Sequence, residues 1–190
     1  MAIALTIRRL AAVVIIALAA VACQSQDKAA QPRYVSDARP LEARESRYFI
    51  EFRSRYALSY GHTYVIFGRL GQGGEMINPE VAGLAPASLD EAPYVLGHFV
   101  PVPAETGASD GDLEEAYRSA SWRVMLTDAQ YNRTVAYIRQ LKAKSKFWQA
   151  SVYNCNAFVA DIARSMGYKT PGIWLRPQQF ITRLREMNAR

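Results

Sequence analysis

Tyr153-Asn154-Cys155-Asn156-Ala157-Phe158-Val159-Ala160-Asp161-Ile162-Ala163-Arg164-Ser165-Met166-Gly167 reads as a helix with a thiol in its first turn. Asn154 is suited to the N-cap, because its side-chain oxygen can accept one of the unpaired backbone N–H groups. Gly167 suits the position after the last turn, with Pro171 just beyond it. Cys155, Phe158, Val159, Ile162 and Met166 recur at helical spacing and make one apolar stripe. This stripe turns the thiol towards the core.

A helix N-terminus carries partial positive charge, which favours thiolate over thiol. Its free N–H groups can also hold a developing oxyanion. A nucleophilic cysteine needs both. The other reading of Cys155 is a small buried hydrophobe.

Working outward, 190 residues with 50% apolar content predict one domain with a real core. Eleven tyrosines and seven phenylalanines suit a fold containing a sheet. The formal charge is +6, and +4 once Arg8 and Arg9 are set aside with the leader. No dense Lys/Arg block carries interleaved aromatics, so nucleic acid is not an expected partner. No CxxC pair, HExxH string or phosphate loop is present, and neither metal nor cofactor is expected.

Met1 to Ala22 reads as a secretory signal. Arg8 and Arg9 precede the apolar run Leu10 to Leu18, which is short for a membrane span. Ala20-Val21-Ala22-Cys23 is similar to a bacterial lipobox with Ala in place of the commoner Leu, and an ordinary signal peptidase can cut the same bond. The lipobox reading makes Cys23 the lipidated residue of an envelope lipoprotein, on the periplasmic face or the cell surface, anchored by several acyl chains. Residues 23–46 then form the lipidated N-terminus and a polar tether, and residues 47–190 the domain. With Cys23 so used, Cys155 has no partner in the chain.

Within the domain, Tyr48 to Tyr56 and His62 to Leu70 have strand character. Gly71-Gln72-Gly73-Gly74 is a turn, and Glu75 to Asn78 return as a hairpin partner. Pro79 to Pro93 reads as loop, Tyr94 to Pro103 as a strand, Asp112 to Ser119 as a short helix and Ser121 to Leu126 as a strand. Thr127-Asp128-Ala129-Gln130 is a capping box that opens a helix to about Lys144. Phe147 to Val152 approaches the Cys155 helix, and Pro177 to Asn188 is a final helix. The expected fold class is α+β: a small antiparallel sheet with helices packed on one side.

A cysteine nucleophile needs a base, and the base an orienting group. The chain has two histidines, His62 and His98. His62 opens the strongest strand and follows Gly61; His98 also follows a glycine and is the alternative base.

Gly61-His62-Thr63-Tyr64-Val65-Ile66, followed much later by Asn154-Cys155-Asn156-Ala157-Phe158-Val159, resembles the permuted papain-like thiol hydrolases. That group includes lecithin–retinol acyltransferase and its relatives, and belongs with the NlpC-type cell-wall endopeptidases. In its permuted members the histidine strand precedes the cysteine helix, as here. The resemblance implies a permuted papain-like fold, Cys155 as nucleophile, His62 as base, and an amide or ester substrate such as a peptidoglycan peptide or a lipid. The acyltransferase-like members have a second histidine on the next strand. This chain has Gly74, Glu75 and Asn78 there, so Glu75 or Asn78 is the candidate orienting group. The alternative is an envelope lipoprotein that binds a glycan or partner through the same cleft without catalysis.

Overall fold

The computed structural model describes residues 36–37, 47–57, 60–88 and 90–189. The leader, Cys23 and most of the tether lie outside the described residues. The fold is α+β. A five-stranded sheet has the order β1-β7-β2-β3-β4, from Ser36–Asp37 (β1), Arg118–Leu126 (β7), Tyr48–Arg55 (β2), His62–Leu70 (β3) and Met76–Gly83 (β4). The β7, β2, β3 and β4 pairings are antiparallel, and β1 runs parallel to β7. A small second sheet joins Ala85–Pro86 (β5), Val102–Glu105 (β6) and Phe147–Trp148 (β8).

Four helices complete the described fold: Glu91–Leu96 (α1), Asp128–Lys144 (α2), Cys155–Ser165 (α3) and Pro177–Asn188 (α4). Alternation along the strands decides what each face meets. Ile50, Phe52, Val65 and Phe67 point to one face, where they are sealed by Ile138 of α2, Phe158 and Ile162 of α3 and Phe180 of α4. All eight side chains have 0% exposure. Truncating one of the large ones to Ala costs about 3–5 kcal/mol.

The opposite face is buried too, and it is partly ionic. Glu51 joins two guanidiniums, with Arg53 Nε and Arg123 Nε each donating to its carboxylate at 2.6 Å. Arg53 Nη1 lies 2.8 Å from Glu115. Tyr64 Oη donates to the Asp112 carbonyl at 2.7 Å, so the segment containing Asp112 and Glu115 covers this side. Asp112 is itself anchored by Arg55 Nε at 2.6 Å and by the Ser109 N–H at 2.8 Å.

Several elements match their sequence signals. The Thr127–Gln130 capping box is present in both directions, and α2 ends at Lys144. Pro177 opens α4. Gly167 has φ 86°, the left-handed conformation that a helix terminator adopts.

Other elements depart. Tyr94 to Pro103 is not one strand: α1 occupies Glu91–Leu96, and β6 starts only at Val102. Pro93 sits in the first turn of α1, where its missing N–H has no intrahelical partner to lose. The loop expected from Pro79 to Pro93 begins as strand, because β4 runs through Pro79 to Gly83. The ladder shifts register between Phe67 and Arg69, and this edge-strand irregularity accommodates the proline. The helix expected over Asp112–Ser119 is a single 3-10 turn, Glu115–Tyr117, before β7 begins. Ser36–Asp37, expected in the tether, pair with Arg123 and Val124.

Candidate active site

Helix α3 begins at Cys155, as the sequence predicts, and Asn154 caps it by accepting the Ala157 N–H at 3.0 Å. That leaves the amides of Cys155 and Asn156 as first-turn donors without an intrahelical acceptor. Phe158, Val159 and Ile162 are wholly buried and fix the helix against the sheet. Cys155 is a free, half-buried thiol.

The asparagines on either side of the cysteine act as a clamp. Asn154 Nδ2 donates to the carbonyls of Ala150 at 2.8 Å and Ile173 at 3.2 Å. Asn156 Nδ2 donates to Ile173 at 3.0 Å and Leu175 at 2.7 Å. Its Oδ1 accepts from Thr63 Oγ1 at 2.9 Å. The first turn of α3, the start of β3 and the segment before α4 are thereby tied into one rigid corner.

His62 is 8% exposed and opens β3. Its ring stacks on Tyr64, with centroids 5.7 Å apart and planes 13° apart. Gly83 of β4 makes room for it, since a Cβ there would lie 2.7 Å from His62 Nε2. The imidazole lies close enough to the Cys155 thiol to favour its thiolate. Burial pushes the Cys155 pKa up, but the neighbouring His62, helped by Thr63, outweighs it. The net shift is downward. Desolvation and stabilisation therefore compete at this sulfur, and stabilisation wins.

No recorded contact joins the remaining candidates to the Cys155 thiol. His98 is exposed, its Nδ1 lies 2.8 Å from the Tyr94 carbonyl, and its ring neighbours Tyr60 and Trp148. Glu75 and Asn78 lie at the other end of the β3–β4 ladder, where Leu70 pairs with Met76 and Arg69 with Ile77. At about 3.4 Å per residue they are roughly 20–31 Å along the strand from His62. The Glu75 carboxylate folds back over its own turn, so a Cβ on Gly71 would lie 1.9 Å from it. Neither can orient His62 in this arrangement. Among the described residues the imidazole has no acidic partner, and no three metal-ligating side chains converge.

Three further participants escape a reading of the sequence. Asn156 and Thr63 lie within the motifs but carry no chemical signature of their own. Tyr94 sits in a stretch that reads as strand, yet its phenol feels the thiol. Burial raises its pKa first; Arg55 opposes, and Cys155, Glu105 and Asp112 add to the rise.

No protein-family model matches the chain, and neither a curated protein nor a solved structure does.

Proposed function

We propose that the chain is a cysteine-dependent hydrolase or acyltransferase acting on an amide or ester, with the permuted papain-like arrangement implied by the order of its two motifs. One observation carries the reading: a thiol at a helix N-terminus sits beside a buried histidine, and its pKa is lowered despite burial. Structural cysteines lack that balance.

In the proposed reaction His62 takes the Cys155 proton and the sulfur attacks the carbonyl carbon. The resulting oxyanion is held by the first-turn amides of α3. Collapse expels the amine or alcohol, which leaves with the proton from His62, and a thioester remains on Cys155. Water or a second nucleophile, deprotonated by His62, then takes the acyl group and returns the thiol. Peptidoglycan peptides and lipids both offer the required carbonyl. With Cys23 lipidated, the enzyme works at the cell envelope.

An activated ester such as a p-nitrophenyl acyl ester tests this directly. The expected result is a burst of nitrophenolate with acyl mass added to Cys155, lost in Cys155→Ser. Absence of both burst and adduct in folded protein supports the non-catalytic binding reading instead.

A further inference from the structure

The base at this site needs something to hold it, and the two residues expected to do so lie far along the ladder. Asp112 is the acid on the His62 side of the sheet, but both of its carboxylate oxygens are engaged. Oδ1 accepts from Arg55 Nε at 2.6 Å and from Ser109 Oγ at 3.1 Å, and Oδ2 accepts from the Ser109 N–H at 2.8 Å. The contacts that confine the imidazole are of another kind.

His62 and Tyr64 are two residues apart on β3, so their side chains share one face of the sheet. Their rings stack, 5.7 Å between centroids and 13° between planes. Tyr64 is itself fixed. It is 0% exposed, and its Oη donates to the Asp112 carbonyl at 2.7 Å. Swinging the phenol away would leave a buried hydroxyl unpaired. Gly83 pairs with Tyr64 across the β3–β4 ladder, and a Cβ there would lie 2.7 Å from His62 Nε2 and 3.1 Å from Tyr64 Cβ. An aromatic ring thus lies along the imidazole and the β4 backbone lies against its Nε2.

On taking the Cys155 proton, His62 becomes a cation. An aromatic ring attracts a cation held within about 6 Å of its centroid, most strongly where water is excluded. Burial raises the Tyr64 pKa and Asp112 adds to the rise, against Arg53 and Arg55, so the phenol stays neutral. The neighbouring charges are already matched. Arg55 of β2 pairs with His62 in the ladder and is bridged to Asp112, while Arg53 pairs with Tyr64 and is bridged to Glu51. From α3 comes the Cys155 thiol, and β4 presents Gly83.

We propose that Tyr64 is the positioning residue of the candidate site, its ring holding the His62 imidazole beside Cys155 in the role a carboxylate or amide would otherwise take. The proposal rests on the cysteine–histidine reading and says how that pair works without a third polar member.

The pH profile of Cys155 alkylation by iodoacetamide in the full chain tests it. Tyr64→Leu should raise the midpoint by about one pH unit, towards that of free cysteine. Tyr64→Phe keeps the ring and loses the bond to Asp112, so it should unfold at lower urea and keep the wild-type midpoint. A folded Tyr64→Leu variant with the wild-type midpoint overturns the proposal, as does a Tyr64→Phe midpoint raised as far as that of Tyr64→Leu. If the midpoint rises in His62→Ala and not in Tyr64→Leu, this proposal alone fails. A profile indifferent to His62→Ala overturns the cysteine–histidine reading and the proposal with it. Proton NMR needs no truncated variant, should Tyr64→Leu not fold. The His62 ring signals, assigned by their loss in His62→Ala, should lie upfield of their position in the urea-unfolded chain, in wild type and in Tyr64→Phe alike. Signals at the unfolded position overturn the proposal.

Discussion

The two ends of the β3–β4 ladder share one set of strands and have opposite characters. At one end His62 and Gly83 are buried, and the imidazole meets a thiol whose pKa is lowered. At the other, Glu75 and Asn78 are exposed around a glycine turn. A hairpin alone supplies proximity in sequence. A site needs a second element, and α3 with the segment before α4 packs on only one end. The bond from Thr63 to Asn156 joins residues 93 positions apart and ties that second element to the strand.

Substitutions at each end should separate these characters. Asn156→Ala strips the clamp from Thr63, Ile173 and Leu175, leaving the Leu175 carbonyl and the Thr63 hydroxyl to find new partners while Ile173 keeps Asn154. A loss of about 3 kcal/mol is expected in urea unfolding. A near-neutral result would mean that the clamp is not what holds the corner.

Gly83→Ala puts a methyl group where the His62 ring lies. Such overpacking costs about 1–3 kcal/mol. More tellingly, displacing the imidazole should slow Cys155 alkylation at neutral pH. Unchanged alkylation would show that the ring position is not set by Gly83.

At the exposed end, Asn78 has φ 43°, which a β-branched residue adopts only under strain. Asn78→Val should therefore destabilise by about 1–2 kcal/mol. Thermal unfolding measures this, and the thiol should react as before. A slowed thiol would couple the two ends and break the comparison. Glu75→Ala should do least, within about 0.5 kcal/mol of wild type and with wild-type thiol reactivity. A large loss of reactivity would restore Glu75 as the orienting group.

Much of this was legible beforehand, for local reasons. Thr127 and Gln130 announce α2, Asn154 and Gly167 bracket α3, and Pro177 opens α4, because caps act within a few residues. His62 to Leu70 is plain as a strand because its β-branched and aromatic residues are buried on both faces. The misreadings have physical causes. Val95, Leu96, Phe99 and Val100 suggest a strand because apolar residues normally mark a core, and here they are on the surface. Asp112 resembles a residue of a helix start, but its carboxylate anchors Arg55 and Ser109. Glu75 and Asn78 enter only through the resemblance, and the turn beside them lies at the far end of a nine-residue strand from His62. Tyr94 and the asparagine clamp depend on tertiary packing, which spacing does not reveal.

The central claim is that His62 holds Cys155 as a thiolate, and the pH profile of alkylation tests it most directly. A free cysteine titrates at about 8.5. The folded pKa is lowered, so the thiolate persists below that value and its stabilising contribution is lost as pH falls through the folded pKa. Iodoacetamide labelling of Cys155, resolved from Cys23 by peptide mass spectrometry, is followed across pH in wild type and in His62→Ala. The account predicts a wild-type midpoint below that of free cysteine and an upward shift in the variant, while His98→Ala superimposes on wild type. A Cys155 that stays unmodified until denaturant is added, or a profile indifferent to His62, would contradict it.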